Sequence, residues 1–97
     1  MAFIQIIDFH TSRFDDLPTL DEWAAAQKGK ATYTRATIAR DRNDATHYQI
    51  IVFFDSYEDG VKNSELPETA AMSEKMVAAF DGPPSYIDLD VVDDRLN

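Results

Sequence analysis

Two segments of this 97-residue chain carry apolar side chains on both faces when written as strands. In FIQIIDFH the alternating rows are Phe3, Gln5, Ile7, Phe9 and Ile4, Ile6, Asp8, His10. In HYQIIVFF, Tyr48, Ile50, Val52 and Phe54 oppose Ile51 and Phe53. A strand that is oily on both sides has to be covered on both sides, which makes it a central strand in a sheet with two packed faces. A chain of this length holds one core, so residues 1–97 are read as a single domain.

The other segments have different patterns. LPTLDEWAAAQKGK places Thr19 three residues before Glu22, the spacing of a capping box, with Leu17, Leu20 and Ala24 at helical intervals and Gly29 as a stop. ATYTRATIARD alternates between Thr32, Thr34, Ala36, Ile38 and Tyr33, Arg35, Thr37, Ala39, the mixed polarity of an edge strand. RNDAT is rich in turn formers and predicts a hairpin between that edge and HYQIIVFF. Ser56 can cap a following helix, Pro67 allows a fresh helical start, and Met72, Met76, Val77 and Phe80 form an apolar stripe ending at Asp81-Gly82-Pro83-Pro84. SYIDLDVV then sets Ile87, Leu89 and Val91 against Tyr86, Asp88 and Asp90.

The resulting order, β-α-β-β-α-β, is the ferredoxin-like α+β arrangement with a four-stranded antiparallel sheet. Right-handed crossovers place the first and third strands in the centre, which are the two with oil on both faces. Two helices cover one face of such a sheet, so the other needs a partner. A second copy of the chain is expected to supply it, giving a homodimer.

Charge and composition exclude several classes. Net charge is −9, with three Lys/Arg against eleven acids in residues 51–97, so a nucleic-acid partner is not expected. There is no cysteine, which removes disulfides, thiolate metal sites and a cysteine nucleophile, and fits a reducing cytoplasm. No apolar run approaches the ~20 residues of a membrane span, and MAFIQIIDFH reads as no leader peptide. His10 and His47 lie far apart in the sequence and do not by themselves make a metal site.

From FIQIIDF through YQIIVFFDSYEDGVKNSELPE to YIDLDVV, the chain resembles the dimeric α+β barrel superfamily near its antibiotic biosynthesis monooxygenase branch. Members of that branch commonly carry a histidine where this chain has Asn63, and Ser-Pro where it has Leu66-Pro67. Haem-degrading relatives would hold iron through a histidine on the second helix, and residues 57–80 contain none. The resemblance therefore implies cofactor-free oxygenation of a small aromatic or polyketide-like molecule, in which the deprotonated substrate itself passes an electron to O₂. In that scheme Asn63 is the donor to a developing oxyanion and His10 the base candidate on a central strand, while Gln5, Trp23 and Phe9 contact substrate. Gln5 and His10 point to opposite faces and cannot share a pocket; Gln5, a lone polar residue among Phe3, Ile7 and Phe9, needs a partner and is paired with Asn63, and Asp88 and Asp90 are further base candidates. A non-catalytic, ligand-binding homodimer of the same fold is the alternative.

Overall fold

A computed structural model describes all residues 1–97. The strands are β1 (Phe3–His10), β2 (Tyr33–Arg40), β3 (His47–Phe54) and β4 (Ser85–Asp90), and the helices are α1 (Leu20–Gln27), α2 (Tyr57–Glu65) and α3 (Pro67–Val77). The sheet order is β2-β3-β1-β4, with every neighbouring pair antiparallel. The two doubly apolar strands are therefore the central pair, and the ferredoxin-like α+β arrangement holds. What reads in sequence as one second helical segment is two helices, because Leu66 leaves helical geometry and Pro67, which has no N–H to satisfy, opens α3.

Local chemistry accounts for the helix ends. Thr19 Oγ1 accepts from the Glu22 N–H at 3.1 Å, which satisfies one orphan donor of α1. The Glu22 carboxylate accepts from the Thr19 hydroxyl at 3.4 Å instead of returning to the Thr19 N–H, so only half of the capping box forms. At the other end the chain turns left-handed one residue earlier than Gly29 alone predicts, at Lys28 (φ 54°), and Gly29 follows at φ 76°. Ser56 caps α2 through the Asp59 N–H at 3.2 Å.

All three helices lie on one face of the sheet. There Phe9, 2% exposed, stacks between Phe80 at 4.2 Å and Tyr48 at 5.7 Å, and Met76, Leu17 and Ile50 close the core around them. Met72, Met76 and Phe80 of the expected stripe are buried, but Val77 is 39% exposed, since only one side of α3 meets the sheet. The chain at the end of β1 is tied to the end of α3 by the Thr11 hydroxyl, which donates to Ala79 O at 2.6 Å. Gly60 is required where α2 crosses β1, because a Cβ there would stand 2.8 Å from the Phe3 ring.

The opposite face is bare. Ile4 pairs across to Phe53 and Leu89, and Ile6 to Ile51 and Ile87, forming an apolar field in which Ile87 and Leu89 are 40% and 42% exposed. Both faces of β4 are open in the single chain, whereas the sequence pattern predicts one packed side.

One strand departs from simple alternation. A bulge between Tyr33 and Arg35 leaves Thr34 outside the ladder, so Tyr33 pairs with Phe54 while Arg35 pairs with Phe53. Two residues then oppose one, and Tyr33 turns to the helix side with Ala36 and Ile38 instead of sharing a face with Arg35 and Thr37. The strict two-residue reading of this strand is corrected at that point.

Candidate functional site

Between the helix-side face and the helices lies a cavity of about 190 Å³. Gln5 and Ile7 of β1, with Ile50 and Val52 of β3, form its floor. Trp23 and Gln27 of α1, Asn63 of α2 and Thr69 of α3 form its roof, while Tyr33 and the 58%-exposed Tyr86 contribute from the two edge strands. An apolar cavity of about 150 Å³ accommodates benzene, so this one has the size of a single substituted ring.

Three of the residues singled out in the sequence meet here: Gln5, Trp23 and Asn63. Gln5 and Asn63 are not bonded to each other. Gln5 Nε2 reaches Asp88 Oδ1 at 3.4 Å, which sets one β4 carboxylate beside the cavity floor on the same face of the sheet, although it does not line the cavity. The other two residues lie elsewhere. Phe9 belongs to the core stack and does not line the cavity. His10 is at the exposed end of β1 on the bare face, where its even position in the strand directs it.

The polar roof has a fixed hydrogen-bond direction. The Thr32 N–H, which can only donate, reaches Asn63 Oδ1 at 3.3 Å, and this assigns the Asn63 amide. The same oxygen accepts from Gln27 Nε2 at 3.4 Å, and Gln27 Nε2 also donates to Thr69 Oγ1 at 3.1 Å. Asn63 Nδ2 makes no bond within the chain and is free to donate into the cavity. Asn63 thus joins α2 to the start of β2 and the end of α1, and Gln27 carries the link on to Thr69 of α3, while Asn63 keeps one donor for a ligand.

Neither Gln27 nor Tyr33 stands out in the sequence. Gln27 reads as the polar end of a short amphipathic helix, yet it is 1% exposed because the last turn of α1 abuts α3. Tyr33 reaches the cavity only through the bulge. A Gly, Pro or Asn marker at the bulge would have signalled it, and TYTR contains none.

No Asp, Glu, His, Lys or Arg lines the cavity. Its wall supplies amides, hydroxyls and an indole, with the Tyr33 and Tyr86 phenols as the only titratable groups. It can orient and hydrogen-bond a ring, but it presents no strong base.

The histidines form a separate cluster on the bare face. Strand register sets His10 opposite His47, and their rings stack at 4.7 Å, although 36 residues intervene in the chain. His47 Nδ1 lies 2.9 Å from Asp41 and Nε2 lies 2.8 Å from Asp8, while His10 Nε2 is 3.5 Å from Asp44. Hydrogen bonds from Asp41 and then Asp8 hold the His47 pKa above the usual imidazole value. Asp8 is lowered by Gln49 and His47, and Asp41 by His47 and the Asn43 N–H. This is a charge-paired clamp that joins β1, β3 and the hairpin, and no group of three or more His, Asp or Glu side chains is arranged to hold a metal ion.

No family model matches the sequence, and no curated protein matches it. Solved structures do. A Caulobacter crescentus protein named as a candidate antibiotic biosynthesis monooxygenase superposes with a TM-score of 0.79 at 14% identity, over 95% of this chain and 91% of that one. SnoaB, a cofactor-independent oxygenase from Streptomyces nogalater, superposes with a TM-score of 0.76 at 12% identity, over 96% and 95%. Rv0793 from Mycobacterium tuberculosis gives 0.75 at 11%, over 97% and 98%. At these identities the likeness is one of fold, and the chain has the ferredoxin-like α+β fold of the antibiotic biosynthesis monooxygenase structures.

Proposed function

We propose that this chain binds a small aromatic, enolizable molecule in the cavity beneath Trp23 and oxygenates it without a cofactor. The observation that carries this reading is the free Asn63 Nδ2 donor, held in place by Thr32 and Gln27 on the wall of a mostly apolar, ring-sized cavity. A donor fixed before the reaction stabilises an enolate or phenolate oxygen with little reorganisation, and the apolar wall strengthens that interaction by excluding water. The fold shared with SnoaB, a cofactor-independent oxygenase, supports the same chemistry.

The reaction balances without an external reductant. A CH₂ group beside the oxyanion loses a proton, the carbanion passes one electron to O₂, and the radical pair joins as a hydroperoxide. Loss of water leaves C=O, so CH₂ and O₂ become C=O and H₂O. Because no carboxylate, imidazole or amine lines the cavity, the substrate has to be acidic enough to ionise with help only from solvent or a rim phenol. His10 is not used as the base here, since it lies on the other side of the sheet.

We place a second copy of the chain over the bare face, where Ile4, Ile6, Ile51 and Phe53 lie beside Ile87 and Leu89. A contiguous apolar field of this kind is rarely left open on a monomer.

Oxygen uptake with a panel of anthrone-like and hydroquinone-like compounds tests the activity. Uptake should follow the ionisation of the substrate and fall about 100-fold or more in Asn63→Ala. Saturable binding of these rings with no oxygen consumption at any pH would remove the oxygenase reading. That outcome would favour a ligand-binding module, which the missing base also supports.

A further inference from the structure

Gln27 carries a polar atom that the fold leaves without a partner. Its side chain is 1% exposed, its Nε2 is committed to Asn63 and Thr69, and its Oε1 is buried with no hydrogen bond. The assignment of nitrogen and oxygen is not arbitrary: the Thr32 N–H makes Asn63 Oδ1 the acceptor, so the Gln27 atom facing it has to be the donor. An orphaned carbonyl acceptor in an apolar wall costs free energy that a donor would recover.

We propose that Gln27 is the specificity residue of the cavity, accepting a hydrogen bond from a neutral hydroxyl or amino group on the bound ring. This rests on the cavity being a ligand site, as in the function proposed above. Gln27 lines the cavity, and its Oε1 is buried. The terminal torsion of a glutamine is soft, and a rotation that brings Oε1 to the surface trades the long 3.4 Å bond to Asn63 for a full bond to the ligand.

Asn63 Nδ2 and Gln27 Oε1 then present one donor and one acceptor. Asn63 favours a ligand oxygen that gains negative charge, whereas Gln27 penalises one that does, because a carbonyl lone pair repels an anion. The pair therefore distinguishes two oxygens on the same ring. One ionises against Asn63, and the other stays protonated against Gln27. The preferred ligands carry a hydroxyl or amino donor in addition to the reacting group.

The chain has a single tryptophan, Trp23, and it lines the cavity, so nitroaromatic rings that enter should quench its fluorescence. In the unmodified protein, 4-nitrophenol and 4-nitroaniline, which keep the donor, should bind about tenfold more tightly than 4-nitroanisole, which lacks it. Bound 4-nitrophenol should be held neutral, with its ionisation, read from its visible absorbance, moved to higher pH. In Gln27→Leu the preference for donors should disappear and that ionisation should move back down. Simple loss of wall polarity would instead drive it further up.

Equal, saturable binding of all three compounds overturns the role of Gln27 and leaves the cavity as a ligand site. Failure of every compound to quench Trp23 overturns both readings. If Gln27→Leu does not fold, the three-compound comparison on the unmodified protein decides the matter alone.

Discussion

Replacing Asn63 with leucine tests whether this residue holds three parts of the fold together. Its Oδ1 accepts from the Thr32 N–H at 3.3 Å and from Gln27 Nε2 at 3.4 Å, and both bonds are long. Long bonds belong at the lower end of the usual net contribution, about 0.5 kcal/mol each. Leucine also strands the partly buried Thr32 N–H, for about 1 kcal/mol more, while Gln27 Nε2 keeps Thr69. The sum is about 2 kcal/mol, which in a domain of this size lowers Tm by about 8–16 °C. Thermal unfolding followed by circular dichroism measures it, with Asn63→Asp as the control. Aspartate keeps the acceptor, so its Tm should lie close to that of the parent, but it loses the Nδ2 donor and so the proposed oxyanion contact. A leucine variant that melts within about 2 °C of the parent would refute the tie and leave Asn63 as a cavity residue only.

Phe9→Ala empties the centre of the Phe80–Phe9–Tyr48 stack and should cost about 3–5 kcal/mol by chemical denaturation, with Trp23 ligand binding lost only through unfolding. Gly60→Ala drives a methyl group to 2.8 Å from the Phe3 ring, so it should lower Tm even though alanine favours helix; a rise in Tm would show that Phe3 can move aside. The clamp around His47 makes stability depend on pH from both sides. A raised imidazole pKa means its contribution is full below the ordinary value of 6.5 and is lost as pH rises through the higher folded value. The lowered Asp8 and Asp41 values mean that theirs is full above 3.8 and is lost as pH falls through the depressed values. Tm should therefore fall on both sides of the interval between 3.8 and 6.5, and His47→Gln should flatten the alkaline limb. Sedimentation equilibrium should give twice the 11.0 kDa chain mass, about 22 kDa, and Ile6→Glu should return the monomer; a well-folded monomer of the parent would leave the bare face without its proposed cover.

Much of the fold was legible because its determinants are local or periodic. Apolar residues on both sides of FIQIIDFH and HYQIIVFF mark them as central strands before any contact is known, and the mixed faces of YTRATIAR and SYIDLD mark the edges. Thr19, Ser56 and Pro67 act within a turn of their own position, so each helix start could be read from a few neighbouring letters. The site was legible only in part. Gln5, Trp23 and Asn63 reach the cavity because regular alternation and helical spacing point them there, whereas Phe9 and His10, chosen on chemistry, are taken up by the core and by the opposite face.

By itself, then, the sequence determined the order of elements, the sheet topology and that both sides of each central strand are apolar, since these depend on neighbours along the chain and on a period of two or 3.6. Only the tertiary structure decided which polar groups converge. The bulge at Thr34 turns Tyr33 inward, the contact of α1 with α3 buries Gln27, and strand register stacks His10 on His47. Each of these joins residues distant in the chain through a backbone shift or a packing contact that has no local signature, so no pattern of letters announces it.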